Sequence, residues 1–592
     1  MKGASLLLVL LLAKLAMAWG HVSSLTGWSL VAYTWQDVLV ALAFAGLDHG
    51  LRNKIGVTPR ISWGLYWVLA IYAAINVPVA RAVSTPLTWP MIRSARGPLA
   101  DSILLYVTPT NCLVIVLILL LAAVLPHLLR RVPQPRAKAW AICAAIFALL
   151  GLIARTRADT RGMDRNAVTA LIDTALPRVI ANADASDWRA LRFTAQDGLR
   201  DVGRGAQENL SWLEGSARGR NVVMVALEST AAQYLSLYGG QYEVMPNLNA
   251  LAQQGVVFEN AYSAYPESIK GLFSVLCSEF PAFDTEPEQY GKVHCHSLAE
   301  VVAGAGYRTA MFHSGRFGYL GMESVIRNRG YQTLEDAGEI GGNYNSSFGV
   351  DEPATVARML AWIDALPDGQ RFFLTYLPIA GHHPYATPDG RGPFVGPDEI
   401  TQYRNALHYG DVSLGTLADG LRARGLDANT VWVVYGDHGE AFGQHEGNYG
   451  HTFFLYDENI HVPFLIAAPG LIRRQERVSK VVSLVDTAPT VLDLLGISPP
   501  ANYQGRTMLD GVPRTALFFA DYSLGFLGLR DGPWKFVYEI ESGKEQLFKM
   551  DQDPRELSNL APSESARASW YGQVVRGWSA EQKSHIERSA VR

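Results

Sequence analysis

Five apolar stretches crowd into the first 154 residues, at about 4–19, 28–47, 62–80, 103–126 and 139–154. A helix rises about 1.5 Å per residue, so about 20 apolar residues cross the hydrocarbon and about 17 is the lower limit. The middle three stretches are long enough as they stand. The fifth reaches that length when extended to Lys138 and Arg155, whose apolar stems carry their charges to the interface. The first, Lys2 followed by SLLLVLLLAKLAMA, ends in Ala16-Met17-Ala18, which imitates a signal-peptidase site, and it holds Lys14 inside. It reads as a retained helix; cleavage would leave the other four pointing the same way. Residues 1–154 are therefore expected to form a bundle of about five transmembrane helices, integral to the membrane.

Charge divides at the same place. Residues 1–154 carry twelve Lys/Arg against three Asp/Glu, while the remaining 438 carry thirty-nine against fifty-two. That acidic body gives no support to a nucleic-acid-binding stripe, and no nucleic-acid partner is expected. Short-loop Lys/Arg counts set orientation. Arg52, Lys54 and Arg60 follow the second stretch, and Arg130, Arg131, Arg136 and Lys138 follow the fourth. Both loops should be cytoplasmic, although Arg81, Arg93 and Arg96 after the third weaken the contrast. An odd number of spans then sends everything after Arg155 to the periplasm or exterior of the inner (plasma) membrane.

Residues 155–219 read as a juxtamembrane connector, with a helical pattern in AVTALIDTALPRVIANA interrupted by Pro177. Residues 220–592 read as a catalytic domain. Continuous apolar runs, the pattern of strands buried on both faces, occur at NVVMVAL, FFLTYLP, TVWVVY and VPFLIAA. Helical patterns alternate with them: PNLNALAQQG capped by Gly255, then 352–365, 401–424 and 484–495. The expected fold class is α/β, a sandwich around a mostly parallel sheet. Short alternating runs after residue 514 predict a small antiparallel sheet at the end. Cys112 and Cys143 fall in apolar runs and read as packing residues. Cys277 and Cys295 can pair if the body sits in an oxidising compartment.

Polar clusters follow the apolar runs directly. Glu228 comes after the first, His382-His383 after the second, Asp437-His438 after the third, and His451 precedes the fourth. In open α/β sheets ligands bind beyond the carboxyl ends of the strands, so these side chains should share one rim. Carboxylate and imidazole ligands suit one divalent ion, zinc or manganese. Ser268 follows Pro266-Glu267 and opens the helical run IKGLFSVL, where backbone dipoles favour negative charge. A hydroxyl at the remaining metal position would lose its proton readily and serve as a nucleophile. The plainer reading, Ser268 as a mere helix cap, stands beside it.

Taken in order, NVVMVALES, MPNLNALAQQGVVFENAYS, HHPY, GDHGEAFGQHEGNYGH, LYDENIHVPFLI, VDTAPTVLDLLGI and LFKMDQDPRELSNL resemble the sulfatase branch of the alkaline phosphatase superfamily. Two departures narrow the likeness. Arylsulfatases carry paired aspartates after the first strand, where this chain has Leu227-Glu228. They also carry a C/S-x-P-S-R signature, which Ser268-Ile-Lys-Gly-Leu does not match, so oxidation to formylglycine is not expected. A single acidic residue, an unmodified hydroxyl and Asp-His are instead similar to lipoteichoic acid synthases and phosphoethanolamine transferases, which also place about five membrane helices ahead of the catalytic domain. Those families normally use Thr, so Ser268 is itself a departure, and Glu267 or Lys270 is the alternative at that place.

The resemblance implies that Glu228, Ser268, Asp437 and His438 hold the metal and that His382 and His451 contact the phosphoryl group, His451 as acid for the leaving oxygen. His313 and Arg316 lie where this superfamily often contacts substrate. His445 shares the loop of His451 and reads equally as a substrate contact or as a solvated loop residue. The implied partners are a membrane phospholipid donor and a glycan or lipid-sugar acceptor. The implied reaction is transfer of phosphoglycerol or phosphoethanolamine through a covalent serine ester. The alternative is hydrolysis of a sulfuric ester or phosphodiester at the same site, and a non-catalytic sensor is disfavoured by the complete ligand set.

Overall fold

The computed structural model describes residues 2–590 apart from 20–25, 53–57, 95–99, 132–136, 159, 179, 181–207, 347 and 391. Lys54, Arg96, Arg136 and the side chains of Arg52, Arg131 and Lys138, which bear on orientation, lie outside the described residues, as do 159, 179 and 181–207 of the connector.

Helices α1 (Lys2–Ala18), α2 (Ser29–Arg52), α3 (Thr58–Val83), α4 (Pro109–Leu128) and α5 (Ala137–Arg157) fall on the five apolar stretches, except that 103–108 of the fourth lies ahead of α4, in the short helix Ala100–Leu105 and the turn after it. Three segments, Ser29–Leu51, Arg60–Val83 and Pro109–Leu128, are long and apolar enough to cross a membrane. The five spans expected thus stand at three among the described residues. α1 stops at 17 residues, and α5 runs for 21 residues with Arg155 and Arg157 in its last turn. Lys14 is buried. Its Nζ donates to the carbonyls of Met163 (3.0 Å) and Arg165 (2.8 Å) and lies 3.5 Å from Asp37. Asn166 closes the same knot, donating to Gln36 and Asp37 and capping the helix Ala167–Ala175, which ends ahead of Pro177. The connector is thereby tied to the ends of α1 and α2 that face the body. Cys112 and Cys143 are exposed on the outer faces of α4 and α5, not packing residues as expected; an apolar run that is lipid-facing looks the same as one that is buried.

The body is built on an eight-stranded sheet: β1 (Asn221–Leu227), β2 (Gly255–Tyr262), β3 (Arg308–His313), β4 (Thr333–Glu335), β5 (Phe372–Leu377), β6 (Thr430–Gly436), β7 (His461–Ala467) and β8 (Glu476–Ser483). Their order across the sheet is β8-β2-β7-β6-β1-β5-β3-β4. Pairing is parallel except at β7, which runs antiparallel to both β6 and β2. The run VPFLIAA predicted a parallel strand there. Burial on both faces imposes the same apolar pattern in either direction, so composition could not set its sense. Gly255 opens β2 and is not the helix cap; the preceding helix, Pro246–Ala252, is capped at Gln253.

Alternate residues of β1 enter opposite cores, as a two-residue side-chain period requires. Val222 and Met224 pack with Phe273 and Leu276 of α6 (Ser268–Cys277). Val223 and Val225 pack with Tyr403 and Leu414 of α8 (Glu399–Ala423), beside α7 (Glu352–Asp364). This is the expected α/β sandwich. Cys277 at the end of α6 is bonded to Cys295. The expected antiparallel sheet follows as β9 (Thr515–Ala520), β10 (Phe526–Asp531), β11 (Trp534–Glu539) and β12 (Glu545–Lys549), covered by the helix α9 (Ser565–Ser589) through Tyr571 and Trp578.

The membrane part and the body share a polar seam. Thr85 Oγ1 meets Ser523 Oγ at 2.6 Å, Thr88 Oγ1 donates to the Tyr522 carbonyl at 2.9 Å, and Arg155 donates to the Glu541 carbonyl at 2.8 Å. From the connector, Arg178 forks onto Asp284 (2.7 Å) and Glu541 (3.1 Å).

Candidate active site

Register brings the first two clusters together. Leu227 at the end of β1 pairs with Gly436 at the end of β6, so Glu228 and Asp437 are each one residue beyond partnered positions. Ser229 turns the chain with φ of 52°, and its amide donates to Asp437 Oδ1 at 2.9 Å, as does the amide of His438 at 2.8 Å. β5 lies on the other side of β1 and leads to Gly381, where any Cβ would collide with the Glu228 carbonyl oxygen. That close approach puts His382 on the same rim.

Ser268 arrives from β2 at the first turn of α6. Glu267 caps this helix, accepting from the amides of Ile269 (3.1 Å) and Lys270 (3.4 Å), so the serine hydroxyl is released from capping. It donates to Glu228 Oε2 at 3.0 Å and lies 3.2 Å from His438 Nε2. Lys270, the alternative at this position, pairs instead with Asp521 at 2.8 Å and lies over the Tyr265 ring.

One donor atom each from Glu228, Asp437 and His438 falls within 4.8 Å of the others. His438 Nδ1 meets the Gly439 carbonyl at 3.0 Å, which assigns the proton to Nδ1 and leaves Nε2 a lone pair for a ligand. Burial, and then Asp437, pushes Glu228 up to about 8. Burial works against charge on His438, but Asp437 and Glu228 outweigh it and raise its pKa. Two buried carboxylates beside an imidazole call for a cation, and this oxygen–nitrogen donor set fits zinc or manganese.

His451 stands next to this group, its ring 4.1 Å from that of His438. Its Nδ1 meets Glu440 Oε2 at 2.7 Å, and Tyr385 donates to the other oxygen at 2.9 Å. Burial alone would raise Glu440, yet His451 holds it below the usual carboxylate range. His382 lies 6.2 Å from His451, against Phe348, and burial followed by His451 lowers it to about 3. His313 and Arg316 line the same cavity of about 520 Å³ as Ser268, His382 and His451. Arg316 is steered by Asp336 at 3.2 Å and Tyr344 at 3.0 Å.

His445 is not part of the wall, correcting its expected contact with substrate. Glu458 and the Arg555 carbonyl engage its two ring nitrogens at 2.6 and 2.9 Å, and Tyr456 stacks on it at 3.6 Å. It braces the loop and has no nitrogen left for a ligand. Three wall residues went unread in the sequence. Glu440 was visible only as the end of Asp437-His438-Gly439-Glu440, and Arg81 and Tyr106 reach the cavity from the membrane part.

Residues 220–497 match the family model "Sulfatase", and residues 445–570 match "N-sulphoglucosamine sulphohydrolase, C-terminal". The body belongs to the sulfatase branch of the alkaline phosphatase superfamily. The sulfatase domain is similar to an arylsulfatase of Clostridium perfringens, 23% identical over 58% of this chain and 90% of that protein. Lipoteichoic acid synthase 2 of Bacillus subtilis is also 23% identical, over 77% of this chain and 75% of its own length. Among solved structures, an alkaline phosphatase superfamily protein of Vibrio parahaemolyticus aligns with TM-score 0.54 at 20% identity, covering 64% of this chain and 90% of that one. One chain thus joins the sulfatase fold to a front part with three helices long and apolar enough to cross a membrane.

Proposed function

We propose that the protein transfers a phosphoglycerol or phosphoethanolamine head group from a membrane phospholipid to a hydroxyl of a cell-envelope glycan or lipid-linked sugar, through a covalent ester on Ser268. The observation that carries this reading is the Ser268 hydroxyl within 3.2 Å of both Glu228 and His438, in a cavity walled partly by membrane helices. Glu228, Asp437, His438 and Ser268 would hold one divalent ion, which supplies positive charge that lowers the serine pKa and neutralises the phosphoryl oxygens.

Ser268 Oγ, its proton already lost to solvent, attacks phosphorus as the alkoxide, and the bond to the diacylglycerol oxygen breaks. That oxygen takes a proton from His451 Nε2, with Glu440 stabilising the charged imidazole through Nδ1. The serine phosphodiester remains. The acceptor hydroxyl then loses its proton to His451 and attacks phosphorus, releasing Ser268. His382 is neutral and its Nδ1 is engaged by the His383 carbonyl at 2.6 Å, so its Nε2 accepts a hydrogen bond and orients the incoming hydroxyl. His313 and Arg316 contact the substrate farther along the wall. The loop charges and the Cys277–Cys295 bond support a catalytic domain outside the plasma membrane.

Hydrolysis of a sulfuric ester or phosphodiester is the second reading, favoured by the arylsulfatase relative and the sulphohydrolase match. Leu227-Glu228 and Ser268-Ile-Lys-Gly-Leu weigh against it. Isotopically labelled phospholipid supplied to membranes containing the protein separates the two. Diacylglycerol together with a labelled glycan supports transfer; a soluble head-group phosphate, or aryl sulfate cleavage without lipid turnover, rejects it.

A further inference from the structure

Among the described residues, six charged side chains line the cavity: Arg81, Glu228, Glu267, Arg316, Glu399 and Glu440. Four are engaged within the protein: Glu228 with Ser268, Glu267 as helix cap, Arg316 with Asp336, and Glu440 with His451. Arg81 and Glu399 make no hydrogen bond or ion pair among the described residues. Glu399 is an exposed residue, whereas Arg81 is half-buried. A guanidinium keeps its charge at any working pH, so a partly desolvated one without a partner is poised for an anion, and its planar fork matches phosphate oxygens.

The position of Arg81 adds a direction. It lies in the last turn of α3, at the end of the span Arg60–Val83. The residues just after it are pinned to the catalytic rim. A side chain at Gly447 would press on Ser84, Thr85 bonds Ser523, and Thr88 bonds the carbonyl of Tyr522, itself a wall residue. Gly447 is in the loop that carries His451. On the same side, Tyr106 lines the cavity and is flanked by exposed Ile103, Leu104, Leu105 and Val107. An apolar surface thus leads from the front helices to the mouth of the cavity that Arg81 and His451 both line.

We propose that this wall is the lipid side of the site and that Arg81 is a substrate-binding residue, gripping a phosphodiester oxygen of a donor whose acyl chains remain along residues 103–107. This deepens the transferase reading and rests on it. The experiment uses the full chain in nanodiscs of labelled phosphatidylglycerol and phosphatidylethanolamine, with bis(4-nitrophenyl) phosphate as the soluble comparison. R81Q, checked for unchanged metal content and unfolding temperature, should lower kcat/KM for lipid by about tenfold or more, the loss of a charged hydrogen bond, mainly through KM, and should lower it similarly for the soluble diester, which presents the same phosphodiester oxygens. R81K should recover part of it. An unchanged kcat/KM for lipid overturns the assignment of Arg81. Wild-type protein that cleaves the soluble diester and releases no diacylglycerol overturns the transferase reading itself, before any variant is compared.

Discussion

Ser268 Oγ lies 3.2 Å from His438 Nε2 although 170 residues separate them. The contact exists because Glu267 caps α6 in place of the serine and because the β1 and β6 ends are in register. It turns an ordinary hydroxyl into the candidate nucleophile.

S268A should reduce turnover by about a thousandfold or more, as removal of a nucleophile does elsewhere. Wild-type protein quenched with lipid donor should carry the head-group mass on the peptide containing Ser268. Full activity in S268A would discard the covalent route.

D437A and E228A should lose bound metal in elemental analysis of purified protein, together with activity. Chelation of the wild type should do the same, with zinc or manganese restoring the rate. Stoichiometric metal retained in D437A would mean that the ion sits elsewhere.

H451Q should slow turnover by about a hundredfold or more with a lipid donor. A 4-nitrophenyl ester, whose leaving group needs no proton, should be affected far less. E440Q removes the carboxylate that holds His451 through Nδ1, so it should slow lipid turnover in the same way and spare the 4-nitrophenyl ester likewise. Equal losses with both substrates would contradict the acid role.

Reducing the Cys277–Cys295 bond, which closes a loop of 18 residues, should cost about 3 kcal/mol of stability in the chain-entropy account. Calorimetry of C277S/C295S against the wild type measures it, and a matching midpoint would show that the bond contributes nothing.

Burial pushes Glu539, at the end of β11, up to about 7, with Lys544 opposing. Its folded pKa exceeds the unfolded value near 4.5, so its charge disfavours the fold and stability is lost as pH rises between those values. E539Q should therefore be more stable than the wild type at pH 8, by about 1–3 kcal/mol, and equal to it near pH 4.5. Thermal melts across that range decide it; a gap that widens toward acid would refute the sign.

Local pattern was enough for the apolar front, the strands NVVMVAL, FFLTYLP and TVWVVY, and the polar residues after each, because burial and strand ends leave marks within a few residues of chain. Those marks placed Glu228, His382 and Asp437-His438 on one rim. They could not tell the direction of β7, since two-sided burial looks alike both ways, nor reveal that His445 braces a loop, since its partners Glu458 and Arg555 are 13 and 110 residues distant. Tertiary structure alone decided that Glu440 orients His451 and that Arg81 and Tyr106 enter the cavity. Those are contacts between segments, set by strand register and by the seam between membrane helices and body, and side-chain chemistry read along the chain carries no record of what lies across a gap.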